Sequence, residues 1–354
     1  MQSKIKDFLS DFYTSAERPA LEYQMRDFAD KKFLAGKKIL DATPVFRNTL
    51  NKYLPLLNAD ADLTVGYGGN VPFDKKVIAF LKDAGIKTVE NGTSSETFDI
   101  ILDCAGANSC TGTRYGVSEL TRSGYYHYEN QDRKVFLADS SRIKTIETAL
   151  GTGDGFHRAM QKLGYGDLKD KKIIIFGCGK VGFGVGMYCA ENGAEVYAVD
   201  DWTNRRIPHA FNAVSRFDRE KIDSLLDDVY CAVTATGIFG GLTETFDIQK
   251  LVKSDALIVN IGVEDEFAGM IASERILNGN QPVNFILDEP THLKFIDPTM
   301  ALHNAGAEIL FNDCGTEKFI IPSQKLNDFY LNIVRGDGII NRELDMLEKY
   351  TVQE

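Results

Sequence analysis

The chain has 354 residues, of which 44% are hydrophobic and 26% charged, and its formal net charge is −11 at pH 7. This length allows two domains, and the negative charge disfavours nucleic acid or an anionic membrane as a partner. No apolar run reaches the roughly 18 residues that a membrane-spanning helix needs, and the charged N-terminus lacks a signal-peptide core. Its six cysteines form no C-x-x-C pair, so neither disulfides nor a metal site is predicted and we expect a cytoplasmic protein.

Strand and helix patterns alternate in the first third of the chain, after a helical stretch over residues 1–35. Apolar runs predict strands at 38–42, 63–66, 86–89 and 98–102, with helices after Pro44 and over 72–84. This βαβ alternation predicts a parallel α/β layer over residues 36–110. The small and polar residues 107–114 are predicted as a loop at its carboxyl edge, where ligands bind in open α/β sheets. The aromatic residues 125–128 are predicted as a further strand.

A second α/β layer is predicted after residue 150. A helix over residues 139–150 ends at the glycine-rich break 151–155, which we interpret as a hinge. Further strands are predicted at 229–233, 256–261 and 284–287, and the pattern from residue 298 onward is helical. We therefore predict two Rossmann-like, doubly wound parallel-sheet domains: a substrate domain over 1–150 and a dinucleotide-binding domain over 151–297. Residues 298–354 are predicted to return to the first domain as helices.

The stretch from Lys171 to Asp201 carries the strongest functional signal. A buried strand at 173–176 is followed by glycines at G-x-G-x-x-G spacing and by a helix whose N-terminus would face phosphates. A second strand ends at Asp200, 18 residues after Gly182, where a carboxylate binds the ribose hydroxyls of NAD. We therefore predict an NAD site, formed by the turn, the acidic strand end and the turns after the later strands: Gly177, Gly179, Lys180, Val181, Gly182, Asp200, Asp201, Arg205, Thr234, Ala235, Thr236, Gly237, Ile261, Gly262 and Val263. Arg205 and Arg206 keep NADP open as an alternative.

Several short motifs together resemble the adenosylhomocysteinase family over roughly residues 36–310. They include ILDCAG at 101–106, GVSELTRSG at 116–124, the DGFHRA run at 154–159, VTATG at 233–237 and VNIGVEDEF at 259–267. The resemblance implies a substrate domain before the NAD domain and a C-terminal segment that re-enters the first. It also implies an NAD that oxidises and later reduces a nucleoside hydroxyl, so that homocysteine is eliminated and water added.

The chain differs from that family at the positions where the chemistry takes place. Its His-x-Thr motif falls on residues 41–43, where aspartate replaces the histidine, and one of its paired aspartates and one of its paired glutamates are lost. Its Lys-x-x-x-Asp helix aligns with Ile143 and Glu147, with Lys144 one position away. By the resemblance, the positions that remain for substrate binding are Asp41, Thr43, Glu119 and Thr121. The cofactor half thus matches better than the substrate half.

Four residues are candidates for catalysis: Lys144, Glu147, Asp103 and His303. Lys144 and Glu147 lie one helical turn apart and could face a substrate together, although a surface ion pair is the alternative interpretation. Asp103 ends a predicted strand, where it could contact substrate or cap a loop. His303 falls where the resembled family has a substrate-contacting hinge histidine, and its alternative is a structural histidine.

These features predict an NAD-dependent enzyme that acts by hydride transfer on a small polar metabolite other than S-adenosylhomocysteine. Two alternatives stay open. One is an adenosylhomocysteinase-type hydrolase of a nucleoside thioether, with Lys144 and Glu147 replacing lost groups. The other is a catalytically silent NAD-binding regulator or partner subunit. A homodimer through the NAD domain is expected because the resembled family oligomerises there.

Overall fold

The computed structural model describes residues 2–203 and 206–351. Its strands are β1 Lys38–Asp41, β2 Asp62–Tyr67, β3 Lys87–Glu90, β4 Thr97–Asp103, β5 Gly112–Glu119, β6 Val135–Leu137, β7 Lys172–Phe176, β8 Glu195–Asp200, β9 Asn212–Ser215, β10 Cys231–Thr234, β11 Leu257–Asn260 and β12 Phe319–Ile320. Its α-helices are α1 Gln2–Ser10, α2 Pro19–Lys31, α3 Leu50–Asn58, α4 Lys75–Asp83, α5 Arg122–Tyr128, α6 Thr152–Lys162, α7 Lys180–Glu191, α8 Arg219–Leu225, α9 Ile248–Lys253, α10 Leu293–Asn312, α11 Gln324–Asp337 and α12 Asn341–Thr351. Within these ranges no helix is both long and apolar enough to cross a membrane.

The chain forms two compact units. The first comprises Met1–Ile146 with Leu293–Asn341, and the second comprises Glu147–His292 with Arg342–Glu354. The sequence predicts that residues 298–354 return to the first domain, whereas α12 belongs to the second unit. Tyr350 of α12 explains the difference, since its hydroxyl donates to Glu191 at 3.0 Å and its ring packs against Phe211.

The first unit is built on a seven-stranded parallel sheet in the order β12-β6-β5-β4-β1-β2-β3. The chain progresses to one side from β1 to β3 and continues on the other side of β1 with β4. This reversal makes the carboxyl ends of β1 and β4 a topological switch point, the place where open α/β sheets bind ligands.

The second unit contains a five-stranded parallel sheet in the order β11-β10-β7-β8-β9. The isoleucines of β7 at 173–175 are fully buried, as the continuous apolar run predicts for a strand covered on both faces. The chain order reverses between β7 and β10, which is the Rossmann arrangement. The predicted fold class, two Rossmann-like parallel-sheet domains, is therefore confirmed.

Helix α10 runs antiparallel to β5 and reaches the carboxyl edge of the first sheet. A Cβ added at Gly306 would lie 2.4 Å from Oγ of Ser118, and one added at Gly116 would lie 2.9 Å from Leu310. The end of β5 thus meets the middle of α10, and the middle of the strand meets the end of the helix. The first turns of α10 consequently extend past the strand ends, and this geometry brings His303 to the switch-point edge.

Several predicted elements are different in the structure. Residues 125–128 belong to α5 and not to a strand, because the Thr121 side chain caps that helix by accepting from the Gly124 N–H. Residues 284–287 are also no strand, since Val283–Ile286 forms a 3₁₀ helix after Pro282. The predicted loop at 107–114 overlaps the start of β5. The predicted helix over 139–150 is interrupted, with a π-helical segment at Ile146–Gly151.

A buried carboxylate connects the returning segment to the start of the chain. Both oxygens of Asp297 accept hydrogen bonds, from the backbone N–H groups of Ala20 at 2.9 Å and Leu21 at 3.0 Å. These two N–H groups lie in the first turn of α2, which begins at Pro19, so they have no acceptor within the helix itself. Burial raises the pKa of Asp297 to about 7, although the two N–H groups act in the opposite direction.

Replacing Asp297 should destabilise the first unit in a pH-dependent way. Asp297→Ala leaves two buried donors unsatisfied, so we expect a loss of about 2–4 kcal/mol in the free energy of unfolding. Because the folded state binds the Asp297 proton more tightly than the unfolded state, its contribution to stability falls as the pH rises from about 4 to about 7. Urea unfolding across this pH range gives the slope of the free energy of unfolding against pH. This slope should be reduced in Asp297→Asn. An unchanged slope would contradict the prediction.

Candidate cofactor and substrate sites

The glycine turn after β7 has the geometry of a dinucleotide-binding loop. Gly177 has a φ of +89°, which only glycine adopts without strain. A Cβ at Gly182 would lie 1.9 Å from the carbonyl oxygen of Gly177, so α7 packs directly on the turn. By contrast, a Cβ at Gly179 would meet no atom within 4 Å. Gly179 precedes the N-terminus of α7, so its open side is available to a phosphate group there.

Asp200 lies at the end of β8, beside this turn. Its Oδ2 accepts from the Cys178 N–H at 2.6 Å, and its Oδ1 accepts from the Asp201 N–H at 2.7 Å. The carboxylate is therefore held over the glycine turn. The side chain of Asp201 accepts from the backbone and hydroxyl of Thr203. Of the two predicted arginines, Arg205 lies outside the described residues and Arg206 is exposed.

The turns after β10 and β11 are joined by an asparagine. Oδ1 of Asn260 accepts from the Thr234 hydroxyl at 3.2 Å and from the Gly262 N–H at 2.9 Å. The turn at Thr234–Gly237 and the turn at Ile261–Val263 therefore lie together at the carboxyl edge, beside the glycine turn. Val263, in the second of these turns, is 80% exposed. Asn260 was not singled out in the sequence, although it ends an apolar strand.

A buried glutamate, Glu266, supports the same turn. Its Oε1 accepts from the Gly237 N–H at 2.8 Å. Burial raises the pKa of Glu266 to about 7, although the hydrogen bonds from Gly237 and Thr236 act to lower it. The sequence did not identify Glu266, because nothing in the run of acids at 264–266 shows which of them is buried.

In the first unit, the switch-point edge holds a buried ion pair between Asp41 and Lys52. Asp41 ends β1, Lys52 lies in the first turn of α3, and both side chains are inaccessible to solvent. Thr43 donates to Oδ1 of Asp41 through its N–H and its hydroxyl. Burial lowers the pKa of Lys52, while Asp41 acts to raise it. Two residues predicted to bind substrate, Asp41 and Thr43, are thus brought together with a lysine.

Lys52 was missed in the sequence because a lysine in an amphipathic helix is usually a solvated side chain. One signal was present: a cation in the first turn of a helix opposes the helix dipole. Taking this charge out of water is also costly, and buried pairs of this kind often contribute little net stability. An arrangement that is expensive on both counts and lies at a ligand-binding edge is a functional-site candidate.

His303 lies at the same edge and is fully buried. Its Nε2 is 2.6 Å from the carbonyl oxygen of Ser118, so that nitrogen carries the proton and donates. Burial, with Lys52 and Lys144 nearby, lowers the pKa of His303 well below its usual value. The ring is therefore neutral, and Nδ1 is a buried acceptor without a hydrogen-bond partner in residues 2–203 and 206–351. Such an acceptor can receive a proton from a bound hydroxyl group.

The acids that end β4 and β5 hold the edge together. Asp103 accepts from the hydroxyl of Tyr128 and from the backbone and amide of Asn108. Glu119 accepts from the N–H groups at 105 and 106 and from both donors of Thr121. Burial, then the charge of Asp103, raises the pKa of Glu119 to about 7. With these oxygens engaged inside the protein, a substrate contact by Asp103, Glu119 or Thr121 stays a prediction.

Lys144 and Glu147 fall in different units. Lys144 is buried in the first, whereas Glu147 lies half-buried in the π-helical segment that begins the second. Lys144 is near enough to His303 to lower its pKa. Neither residue is on the fully exposed surface that the ion-pair interpretation assumed. Within the described residues no group of three or more His, Cys, Asp and Glu side chains is placed to hold a metal ion.

Comparisons with known proteins give similarities of fold. No protein-family model matches the chain, and no curated protein sequence matches it. Among solved structures, a dipicolinate synthase from Bacillus halodurans is 12% identical, with a TM-score of 0.48, and the match covers 79% of this chain and 99% of the other. A transhydrogenase from Sinorhizobium meliloti is 14% identical, with a TM-score of 0.44 over 78% of this chain and 95% of its own. D-lactate dehydrogenase with NAD+ from Lactobacillus jensenii is also 14% identical, with a TM-score of 0.41 over 78% and 97%. The resemblance to adenosylhomocysteinase stays a prediction.

Proposed function

We propose that this chain is an NAD-dependent enzyme that acts by hydride transfer on a small polar metabolite. The observation that carries the proposal is the open side of Gly179, which faces the start of α7 beside an otherwise tightly packed glycine turn. Backbone atoms close the turn at Gly177 and Gly182, so the turn has room for a pyrophosphate only at Gly179. This is the position where the G-x-G-x-x-G pattern predicts the pyrophosphate.

The residues of the second unit fit NAD. The N–H groups at the start of α7 would bind the pyrophosphate, and the Asp200 carboxylate would accept from the two ribose hydroxyls. A 2′-phosphate would be repelled by Asp200, which favours NAD over NADP. When bound, NAD supplies a hydride acceptor for a carbon that carries a hydroxyl or an amine.

The first unit would bind the substrate at its switch-point edge. The Asp41–Lys52 pair and Thr43 supply charged and hydroxyl groups. His303 supplies a neutral imidazole whose Nδ1 can take the proton of a substrate hydroxyl. These polar groups are enclosed by protein, so they suit a small polar ligand better than an apolar one. The resemblance described above, in which the catalytic positions are altered, supports a substrate other than S-adenosylhomocysteine.

Direct titration with NAD+ tests the cofactor proposal. Trp202 is the single tryptophan of the sequence and lies two residues after Asp200, with its Nε1 donating to the Val214 carbonyl at 3.0 Å. Its fluorescence should therefore change on addition of NAD+, and less on addition of NADP+ at the same concentration. If neither dinucleotide binds at millimolar concentration, the proposed function is wrong.

A single added methyl group should separate cofactor binding from folding. In Gly179→Ala the new Cβ meets no protein atom, so the thermal midpoint should stay close to that of the unchanged protein. The same methyl group would clash with a pyrophosphate at a cost of about 1–3 kcal/mol, which corresponds to roughly a 5- to 150-fold loss of NAD+ affinity. Isothermal titration calorimetry and a melting curve measure the two quantities. Unchanged NAD+ affinity in a folded Gly179→Ala protein would place the cofactor elsewhere.

The homodimer through the second unit is part of the proposal as well. Light scattering on the purified protein, with and without NAD+, would report the mass of the assembly. A monomer at micromolar concentration would exclude it.

A further inference from the structure

An exposed aromatic residue follows the strand that pairs with the end of β8. Phe217 is 73% exposed and follows β9, which pairs with β8 so that Ser215 is opposite Asp200. The Arg216 N–H donates to the Asp200 carbonyl at 3.0 Å. Phe217 is therefore at the same carboxyl edge as the carboxylate that would hold the adenosine ribose, one strand further along the sheet.

The backbone of Phe217 is fixed although its ring is exposed. Its N–H donates to Oγ of Ser215 at 3.3 Å, and the N–H of Asp218 donates to the Ser215 carbonyl at 3.0 Å. Asp218 in turn caps α8 by accepting from the Lys221 N–H at 3.1 Å. The guanidinium carbon of Arg216 is 5.6 Å from the ring centroid, within cation–π range. Single exposed apolar residues are common, but the backbone of Phe217 is fixed at the end of the strand that pairs with β8.

The order of the strands gives the direction in which a dinucleotide would extend. In the sheet β7, β8 and β9 are consecutive neighbours, about 4.8 Å apart. The glycine turn after β7 would hold the pyrophosphate, and Asp200 at the end of β8 would hold the ribose. In adenosine the phosphate and the base are attached to opposite ends of the ribose. The base should therefore continue in the same direction and reach the residues after β9.

We propose that the adenine ring of the dinucleotide stacks on Phe217, which makes Phe217 a residue that binds the adenine half. The proposal presupposes the NAD site of the second unit and adds to it the surface that recognises the base. Stacking of a purine on an aromatic side chain tolerates any base with a π face, and its loss on substitution by alanine weakens binding about tenfold or more.

Calorimetric titration of Phe217 variants with NAD+ and with AMP tests the assignment. In Phe217→Ala both ligands should bind about tenfold more weakly, because both carry the adenine half. Phe217→Tyr should stay within about twofold of the unchanged protein, since it keeps the ring, whereas Phe217→Leu should lose most of the affinity. Folding should be unaffected in all three, since the side chain is exposed. Phe239→Ala is the matched control, because Phe239 is 67% exposed in the same unit but follows β10. The affinity of the Phe239→Ala protein for AMP should be unchanged.

Each outcome decides the matter. Equal affinities of Phe217→Ala and the unchanged protein for NAD+ and AMP would show an exposed side chain only and would overturn the assignment. A loss for NAD+ without a loss for AMP, or a loss for AMP in Phe239→Ala as well, would also overturn it. Failure of the unchanged protein to bind NAD+ refutes the proposed function itself, and the adenine site with it. Failure of the variants to differ leaves the NAD site standing and removes only Phe217 from it.

Discussion

In Gly182→Ala the second unit is expected to be destabilised by about 3 kcal/mol or more, and NAD+ binding is expected to be lost with it. The new Cβ would lie 1.9 Å from the carbonyl oxygen of Gly177 and 3.2 Å from a methyl group of Ile175. Neither neighbour can move away cheaply, because the first is backbone in a turn at positive φ and the second belongs to a central strand. Helix α7 would have to separate from β7.

Chemical unfolding monitored by circular dichroism measures this loss. Gly179→Ala is the control, because it adds the same methyl group three residues earlier, where the structure has open space. The two variants should therefore differ in which properties they lose. Gly182→Ala should lose stability and affinity together, whereas Gly179→Ala should lose affinity alone. A Gly182→Ala protein as stable as the unchanged one would show that α7 does not pack on the turn as closely as described.

Lys52→Met is expected to destabilise the first unit by about 3–5 kcal/mol. The substitution removes the cation and leaves the Asp41 carboxylate buried without its ion partner. Thr43 would still donate to Oδ1 of Asp41, but a hydroxyl and an amide compensate a buried charge only in part. Differential scanning calorimetry would record the effect as a lower melting temperature.

The double variant Asp41→Asn with Lys52→Met tests whether the charge is the cause. It removes both charges and keeps an acceptor near Thr43, so it should recover most of the stability that Lys52→Met loses. If the double variant folds well and still binds NAD+ but supports no turnover of any substrate found for the parent protein, the pair serves substrate chemistry. Equal destabilisation of the double and the single variant would instead point to the packing of the lysine stem.

The two units separate the tasks that the proposed function needs. The second contains the turn, the carboxylate and the exposed aromatic ring arranged along consecutive strands. The first contains a buried acid–base set around Asp41, Lys52 and the neutral imidazole of His303. Cofactor variants and substrate-site variants should accordingly show separable effects on NAD+ affinity and on turnover.

The cofactor half could be predicted from the sequence because its signals are local. Glycines at fixed spacing, a continuous apolar strand before them and an acid at the end of the next strand lie within about thirty residues. The shape of each turn follows from the glycines themselves, as the positive φ of Gly177 shows. Short-range backbone sterics, and not distant contacts, decide these features.

Strand assignments failed where tertiary contacts decided the structure. Residues 125–128 are aromatic and so favour a strand, but the cap supplied by Thr121 and the burial of Tyr128 against Asp103 make them a helix. The short strands β6, β9 and β12 have three, four and two residues and carry too little pattern to be found. Pairing with longer neighbours stabilises them, which is a tertiary effect.

By itself, the sequence determined the fold class, the glycine turn and the carboxylate at the end of β8, because backbone sterics and strand periodicity act over short distances. The tertiary structure decided the rest of the candidate site. Lys52 becomes the ion partner of Asp41 only when α3 folds back over β1, and Asn260 joins two turns only when β10 and β11 pair. His303 reaches the first sheet from a position 185 residues further along the chain than Ser118. Burial shifts the pKa values of Lys52, Glu119 and His303, and only the packed structure determines burial.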